Sequence, residues 1–395
     1  MNTKQKNAVL GSLAEFIKAH EKDIIAHNKK DLESYSGTDP AMLDRLKVNS
    51  TKVAGMLAAI HHVQSLADPI GKKLYTHTRQ DGLTIENRIV PFGKILIIYE
   101  SRPDVTIEAA ITAFKAGNTI LLKGGKEARH TNLCLVNLWH MALAKHGLSD
   151  QKVQYLDMNR TSTQQLIKEN NEKIDLIIPR GGESLIQFVL QHAKVPVVVS
   201  GRGNNFLYVD EEADFEMASK IILNGKQRLS VCNALDKVLL HKNLPGLPEK
   251  VNLLTSLLLD IGMAVYGDAQ ICKLNEHLLP MPSKDMLEEE FLSAKILICL
   301  TDKLEEAITT INNYSGGHSA SIITQNTAKA QQFMNDADCA AVYHNASTRF
   351  TDGGEFGLGA EIAISTQKLH FRGPIGMEQL VTNKWFGYGS GQIRK

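Results

Sequence analysis

Four short runs, "KILIIYE" (94–100), "TILLK" (119–123), "IDLIIP" (174–179) and "VPVVVSG" (195–201), constrain this chain more than any other feature. Each is apolar at nearly every position. A strand of that kind buries both faces, which is the signature of a parallel sheet covered by helices. The stretches between them read as helices. "DVTIEAAITAFKAGN" stops at Gly117 and "ARHTNLCLVNLWHMALAKHG" at Gly147, and "ESLIQFVLQHA" follows the third run. Glycine just past the last periodic residue is a helix stop. Strand and helix therefore alternate through short connections, which predicts an α/β fold. The alternation resumes after Cys232 with "KVLLH", a helix around 247–263, "KILICL", a helix around 303–313, "SASIIT" and a helix around 327–337. Residues 1–66 read as mostly helical. "KKLYTHTRQDGLTIENRIVPFG" predicts a hairpin at 73–90 turning on Asp81-Gly82, a dipeptide favoured in tight turns.

The chain has 395 residues, which suggests two domains. Lys and Arg number 44 and Asp and Glu 43, a net charge of +1 without a basic block. That composition argues against a nucleic-acid or membrane-surface protein. No apolar run approaches the roughly 18 residues of a membrane span. The first twenty residues lack the apolar core of a signal peptide, and Val9, Leu10, Leu13, Phe16 and Ile17 recur at helical spacing instead. Five cysteines, Cys134, Cys232, Cys272, Cys299 and Cys339, contain no CxxC pair. Neither a disulfide framework nor a zinc site is expected, and a cytoplasmic location is.

Among those cysteines Cys232 stands apart. Lys226, Gln227, Arg228 and Ser230 precede it, Asn233 follows it, and then an apolar run begins. A thiol at the edge of a core, facing a cleft, has such neighbours. Cys134 and Cys299 sit at core spacing and read as packing, while Cys272 and Cys339 show no partner pattern. His61 and His62 are adjacent on a helix and poorly placed to share a metal. His318 in "GGHSAS" reads equally well as loop structure or as part of a site.

Two glycine turns follow strands: Lys123, Gly124, Gly125, Lys126 and Glu127, then Arg180, Gly181 and Gly182. Either could be an ordinary strand-to-helix turn. Together, in one doubly wound half, they favour a dinucleotide site, since glycine lets backbone approach phosphate. Lys123 and Lys126 favour the 2′-phosphate of NADPH over NADH.

The segments "VPFGKILIIYESRPDVTIEAAITAFKAGNTILLKGGKEARHTN", "SVCNALDKVLLH" and "VYHNASTRFTDGGEFGLGAEIAISTQKLHFRGPIGMEQLVTNKW" resemble the γ-glutamyl phosphate reductases, a branch of the aldehyde dehydrogenase superfamily. The likeness runs from about residue 5 to the end. It implies a Rossmann-like NADP-binding domain over 1–222, a catalytic domain over 223–365, and an oligomerisation element made of the hairpin and residues 366–395. The family's nucleophile falls on Cys232. Its cofactor contacts fall on the two glycine turns, with Ser200 and Gly201 beside them.

The reaction so implied is NADPH-dependent reduction of L-glutamyl 5-phosphate to L-glutamate 5-semialdehyde, in proline biosynthesis. A thiolate suits it, because it displaces phosphate and later leaves. Arg228 and Lys226 could favour that thiolate by proximity in sequence. The amide of Cys232 with Asn233 or Asn224 could hold the oxyanion. Arg102, Ser347, Thr348 and Arg349 are candidates for the substrate's charged groups, Arg349 as a carboxylate fork. An ordinary salt bridge is the competing reading for each arginine. "VVVSGRG" offers no acid to activate water, which suits a reductase. The implied assembly is a dimer or dimer of dimers in which residues 73–90 pair with another subunit's strand near Val381–Trp385. Glutamate 5-kinase, which makes the acyl phosphate, is a candidate partner.

The chain departs from the family pattern at Asn204 and Asn205, where a Cys-His pair is common, at Leu229, and at Ser293. Two other readings compete. One is a different semialdehyde dehydrogenase of the superfamily, and the other is a weakly catalytic binding protein with the same fold.

Overall fold

The computed structural model describes residues 1–395 apart from Asp39, His370 and Lys395. It divides into two compact units. The first holds residues 1–199, 357–363 and 375–395, and the second holds 200–356 and 364–374.

In the first unit the apolar runs become a parallel sheet. Strand β3 (Lys94–Tyr99) lies between β4 (Thr119–Lys123) and β6 (Leu176–Arg180), with β5 (Val153–Tyr155) outside β4. Five of the six β3 residues are buried, as an all-apolar central strand requires. The chain leaves β3 on one side and returns to it on the other. The carboxyl ends of β3 and β6, at Tyr99 and Arg180, therefore border the point where such sheets take ligands. Helices Val105–Lys115 and Arg129–Lys145 cover one core, in which Phe114 and Trp139 pack at 5.4 Å between ring centroids. Gly117 (φ +86°) closes the first of these helices, in a conformation that an L residue would strain to adopt. Lys6 is buried against this core. Its ammonium meets Asp68 at 2.8 Å and the carbonyl of Lys115 at 2.9 Å.

The second unit carries a seven-stranded sheet, parallel wherever its strands pair, and a separate antiparallel pair of Ile364–Ser365 with Gly373–Pro374. In spatial order the seven strands are β10 (Leu279–Pro280), β9 (Ala264–Gly267), β11 (Lys295–Thr301), β8 (Leu235–His241), β7 (Asn205–Val209), β12 (Ser319–Ile323) and β13 (Ala341–His344). Every residue of β7, β8 and β12 is buried. Two apolar clusters sandwich this sheet.

Four expectations change. The sequence boundary at 222 falls inside the second unit, because β7 is a central strand bonded to β8 and β12. The boundary at 365–366 also moves, since 364–374 belong to the second unit and 357–363 to the first. "VPVVVSG" forms no strand of its own. It makes single bridges at Val197 and Ser200. The hairpin β1 (Lys73–Thr78) and β2 (Thr84–Pro91) exists, with Gly82 at φ +84°. Its third strand, Val381–Tyr388, comes from the same chain, running antiparallel from Val381 opposite Pro91 to Tyr388 opposite Thr84. The pairing predicted between subunits is thus satisfied within one.

The Trp139 side chain is fully buried against Phe114. Trp139→Ala should lower unfolding stability by about 3–5 kcal/mol, read from the denaturant midpoint.

Candidate active site

Cys232 lies in the loop between the helix Phe215–Gly225 and β8, half-buried. Its main chain is gripped from two sides. Gly203 packs directly on it: a Cβ on Gly203 would lie 2.0 Å from the Cys232 carbonyl oxygen, so only glycine fits. Asn205, at the start of β7, donates from Nδ2 toward the carbonyls of Gly203 (2.9 Å), Cys232 (2.8 Å) and Ala234 (2.6 Å). The side chain of Asn205 is itself held by His318. His318 Nδ1 lies 3.0 Å from Asn205 Oδ1 and 2.7 Å from Ser319 Oγ. The network runs on through Thr351 to the Tyr343 hydroxyl, at 2.7 and 2.8 Å.

His318 is fully buried and its Nε2 has no partner. Burial pushes its pKa down to about 4. The ring is therefore neutral, and because the Asn205 NH2 group faces carbonyls, its Nδ1 donates to Asn205 Oδ1. Asn205 was visible in sequence only as a departure and His318 only as an undecided loop residue. Their role depends on contacts 113 residues apart.

Asn233 is buried, and its amide donates to the carbonyls of Arg349 (3.0 Å) and Thr351 (3.2 Å). Its hydrogens are thus committed, which removes the side chain as an oxyanion donor. Asn224 bonds Gln227 at 3.3 Å, and no described hydrogen bond joins it to Cys232. Lys226 is likewise diverted. It is buried and paired with Asp236 at 3.2 Å, and Asp236 also accepts from the Phe291 amide at 2.8 Å. Burial lowers the Lys226 pKa and raises that of Asp236. The cations that remain are Arg228 and Arg349. Arg349 donates through Nη1 to Asn233 Oδ1. Its pKa is held down by burial and then by Arg228, while Asp352 and Cys232 act in the opposite direction.

Ser347 and Thr348 are buried. Ser347 Oγ accepts from the Arg349 amide at 3.3 Å, and Thr348 Oγ1 donates to the Asn233 carbonyl at 3.0 Å. They shape the loop that carries Arg349. Asn204 donates to the carbonyls of Leu287 and Tyr314, each at 2.7 Å. Leu229 packs on an apolar cluster, and the buried Ser293 hydroxyl has no partner.

In the first unit, Lys123 is half-buried and donates to the Gly124 carbonyl at 2.5 Å. Burial lowers its pKa. Lys126 is exposed without a described partner. The Glu127 carboxylate is turned away, accepting from the Ser101 amide (2.7 Å) and hydroxyl (2.8 Å). Two cations with the acid averted fit a nucleotide's anionic groups. The second turn is different. The Gly182 amide already donates to Glu100 at 2.9 Å, and a Cβ on Gly181 would strike the same carboxylate at 2.6 Å. Arg102 and Arg180 both lie near Glu108, whose pKa rises to about 7 through burial and Asp104. Ser200 and Gly201 fall in the second unit, paired with Ser365 and the Ile364 carbonyl. Among the described residues no group of His, Cys, Asp or Glu is placed to hold a metal, and no helix is long and apolar enough to cross a membrane.

The aldehyde dehydrogenase family model matches residues 1–252 and 280–360. A γ-glutamyl phosphate reductase of Koribacter versatilis is 45% identical over 398 residues, covering 100% of this chain and 95% of that protein. One from Enterococcus faecalis is 43% identical, covering 100% and 94%. The chain belongs to the γ-glutamyl phosphate reductases of the aldehyde dehydrogenase family. The crystal structure of the family's Thermotoga maritima member superposes with a TM-score of 0.93 at 39% identity, covering 100% of this chain and 95% of that one. Glyceraldehyde-3-phosphate dehydrogenase GapN of Methanocaldococcus jannaschii, solved with NADP, shares the fold at a TM-score of 0.70 and 14% identity.

Burial raises the pKa of Cys134, Cys272, Cys299 (to about 12) and Cys339 (to about 11). Iodoacetamide should therefore label Cys232 ahead of these four, as peptide mapping after brief exposure would show. His318 adds a pH signature. Its folded pKa of about 4 lies below the ordinary 6.5, so the unfolded chain binds more protons between those values. Stability should fall as pH drops through that window, by up to about 3 kcal/mol. Denaturation at pH ~7 and ~5 should show a smaller difference for His318→Gln than for the natural chain.

Proposed function

We propose that this chain reduces L-glutamyl 5-phosphate to L-glutamate 5-semialdehyde and phosphate, with NADPH as reductant and Cys232 as nucleophile. The observation that carries this reading is the thiol itself. Cys232 is half-buried, clamped through its carbonyl by Asn205, and followed by Asn233, which holds Arg349. The sulfur attacks the acyl carbon, a C–S bond forms, and the C–O bond to phosphate breaks. A nicotinamide cofactor, its anionic groups held by Lys123 and Lys126, would supply the hydride. The resulting tetrahedral carbon re-forms its carbonyl by expelling the Cys232 thiolate, and the aldehyde leaves. "VVVSGRG" places no acid in the stretch where a hydrolytic enzyme needs one, so the thioester is protected from water.

NADPH is preferred to NADH in this reading because Lys123 and Lys126 stand at the first turn with Glu127 averted. The chain works in the cytoplasm on a small-molecule substrate, supplied by a kinase that phosphorylates the γ-carboxylate. It assembles as at least a dimer. The exposed Tyr75, Trp385 and Tyr388 of the three-stranded sheet are the apolar surface available for it.

The reverse assay tests the reaction. Oxidation of glutamate 5-semialdehyde with NADP⁺ should require inorganic phosphate, and phosphate-independent turnover would assign a different dehydrogenase. Cys232→Ala should abolish turnover while NADPH affinity stays within a few fold. Cys232→Ser should also fail, because a hydroxyl without a base is rarely ionised near neutral pH. A kcat/KM for NADH equal to that for NADPH would remove the cofactor assignment.

A further inference from the structure

Contacts alternate along residues 202–205, and only one side of the alternation serves Cys232. Gly203 packs on the Cys232 main chain and Asn205 donates to its carbonyl. Arg202 and Asn204 face the other way. Asn204 is buried and donates to the carbonyls of Leu287 and Tyr314, and Tyr314 lines a cavity of about 310 Å³ together with Arg202. The alternation is that of extended backbone, whose successive side chains point to opposite faces. The cavity and the Cys232 main chain therefore lie on opposite faces of one short segment. Every residue lining the cavity belongs to the second unit.

The walls of the cavity are tightly built. Gly316 and Gly317 (φ +71° and +77°) turn the chain against two arginines. A Cβ on Gly316 would lie 3.6 Å from Arg202 Cβ, and one on Gly317 would lie 3.4 Å from Arg372 Nη2. Asp338 accepts from Arg372 Nη1 and from Lys368, each at 2.7 Å, and its carbonyl accepts from Arg372 Nη2 at 2.8 Å. Arg372 Nε is left buried without a partner. Two charges remain unanswered. Arg202 and Glu288 both line the cavity and are exposed in it, yet among the described residues no ion pair joins them and no hydrogen bond engages either side chain. A cation and an anion held apart across one small cavity match a ligand that carries both charges itself. A carboxylate suits the guanidinium fork, and an ammonium suits the Glu288 carboxylate. The volume is that of a small-molecule site, which runs from about 300 Å³ upward.

We propose that this cavity is a second ligand site, for a free α-amino acid, whose occupancy is felt at Cys232 through residues 202–205. Arg202 takes the carboxylate and Glu288 the ammonium. The site goes beyond the reaction proposed above and is measured without turnover.

The first measurement is the melting temperature of the intact protein in each free L-amino acid. At least one should raise it. Acetate and methylammonium, which each carry one of the two charges, should need about tenfold more for the same rise. The half-maximal concentration of the amino acid should increase about tenfold in Arg202→Met and in Glu288→Gln, whose exposed side chains make no described hydrogen bond that folding would miss. The second measurement is at the thiol. The same amino acid at saturation should change the rate of iodoacetamide labelling of Cys232 at least twofold in the natural chain, and should leave it unchanged in Arg202→Met. The site is overturned if no amino acid raises the melting temperature, if either variant keeps the half-maximal concentration within twofold, if acetate binds as tightly, or if the labelling rate does not respond. An amino acid that only raises KM for glutamate 5-semialdehyde, and ceases to do so in Arg202→Met, would make the cavity part of the substrate site and overturn a second one. Binding and a labelling response that depend on Arg202, in a protein that does not oxidise the semialdehyde, would keep the site and discard the reaction.

Discussion

The amide of Asn205 holds the catalytic loop in place. One side chain on the first residue of β7 shares its two amide hydrogens among three carbonyls, of Gly203, Cys232 and Ala234, that belong to two separate segments. Each bond alone contributes about 1 kcal/mol. Their common origin matters more, because it fixes the Cys232 main chain to the central strand of a seven-stranded sheet. Gly203 makes that possible by having no side chain where the Cys232 carbonyl lies. The carbonyls settle which way the amide points: they can only accept, so the NH2 group faces them and Asn205 Oδ1 faces His318 Nδ1, which donates to it.

Legibility divides along a physical line. The apolar runs at 94–100, 119–123 and 174–179 were legible as strands because burial on both faces leaves a pattern that local sequence carries. "VPVVVSG" carries the same pattern and forms no strand, since its pairing is limited to single bridges at Val197 and Ser200. Its burial comes from loop packing, which periodicity does not separate from pairing. The nucleophile was legible because the change from polar to apolar neighbours is local. The supports around it were not. Lys226 and Asn233 adjoin Cys232 in sequence, and proximity suggested that they act on the thiol. Lys226 instead turns inward to Asp236 on β8, and Asn233 turns to Arg349 and Thr351. The partners of Asn233 lie more than a hundred residues away and leave no trace in spacing.

The buried Lys226–Asp236 pair also explains how the polar stretch before Cys232 can enter an apolar core. Both side chains are almost wholly buried, and an isolated charge there would be costly. Asp236 is satisfied by the ammonium on one oxygen and the Phe291 amide on the other. The pair ties the end of the helix Phe215–Gly225 to β8, on either side of the catalytic loop. With Gly203 and Asn205 on the loop's other flank, Cys232 is held at both ends while its sulfur stays half-buried.

Charge at the thiol follows from the same division. A histidine near a cysteine commonly supplies the cation that favours a thiolate, and its charge then fades as pH rises through its pKa. Here burial pushes the pKa of the network's histidine down to about 4, so the ring is neutral across the physiological range. The positive field comes from guanidiniums, which remain charged across the physiological range. Arg349 is held by Asn233, the residue that follows Cys232. Two roles that one imidazole could combine, orienting the loop and supplying charge, are thus separated between His318 and the arginines. The orienting hydrogen bond needs a neutral ring and gains from burial. The electrostatic role needs a permanent cation and tolerates exposure, which is how His318 and Arg228 are respectively placed.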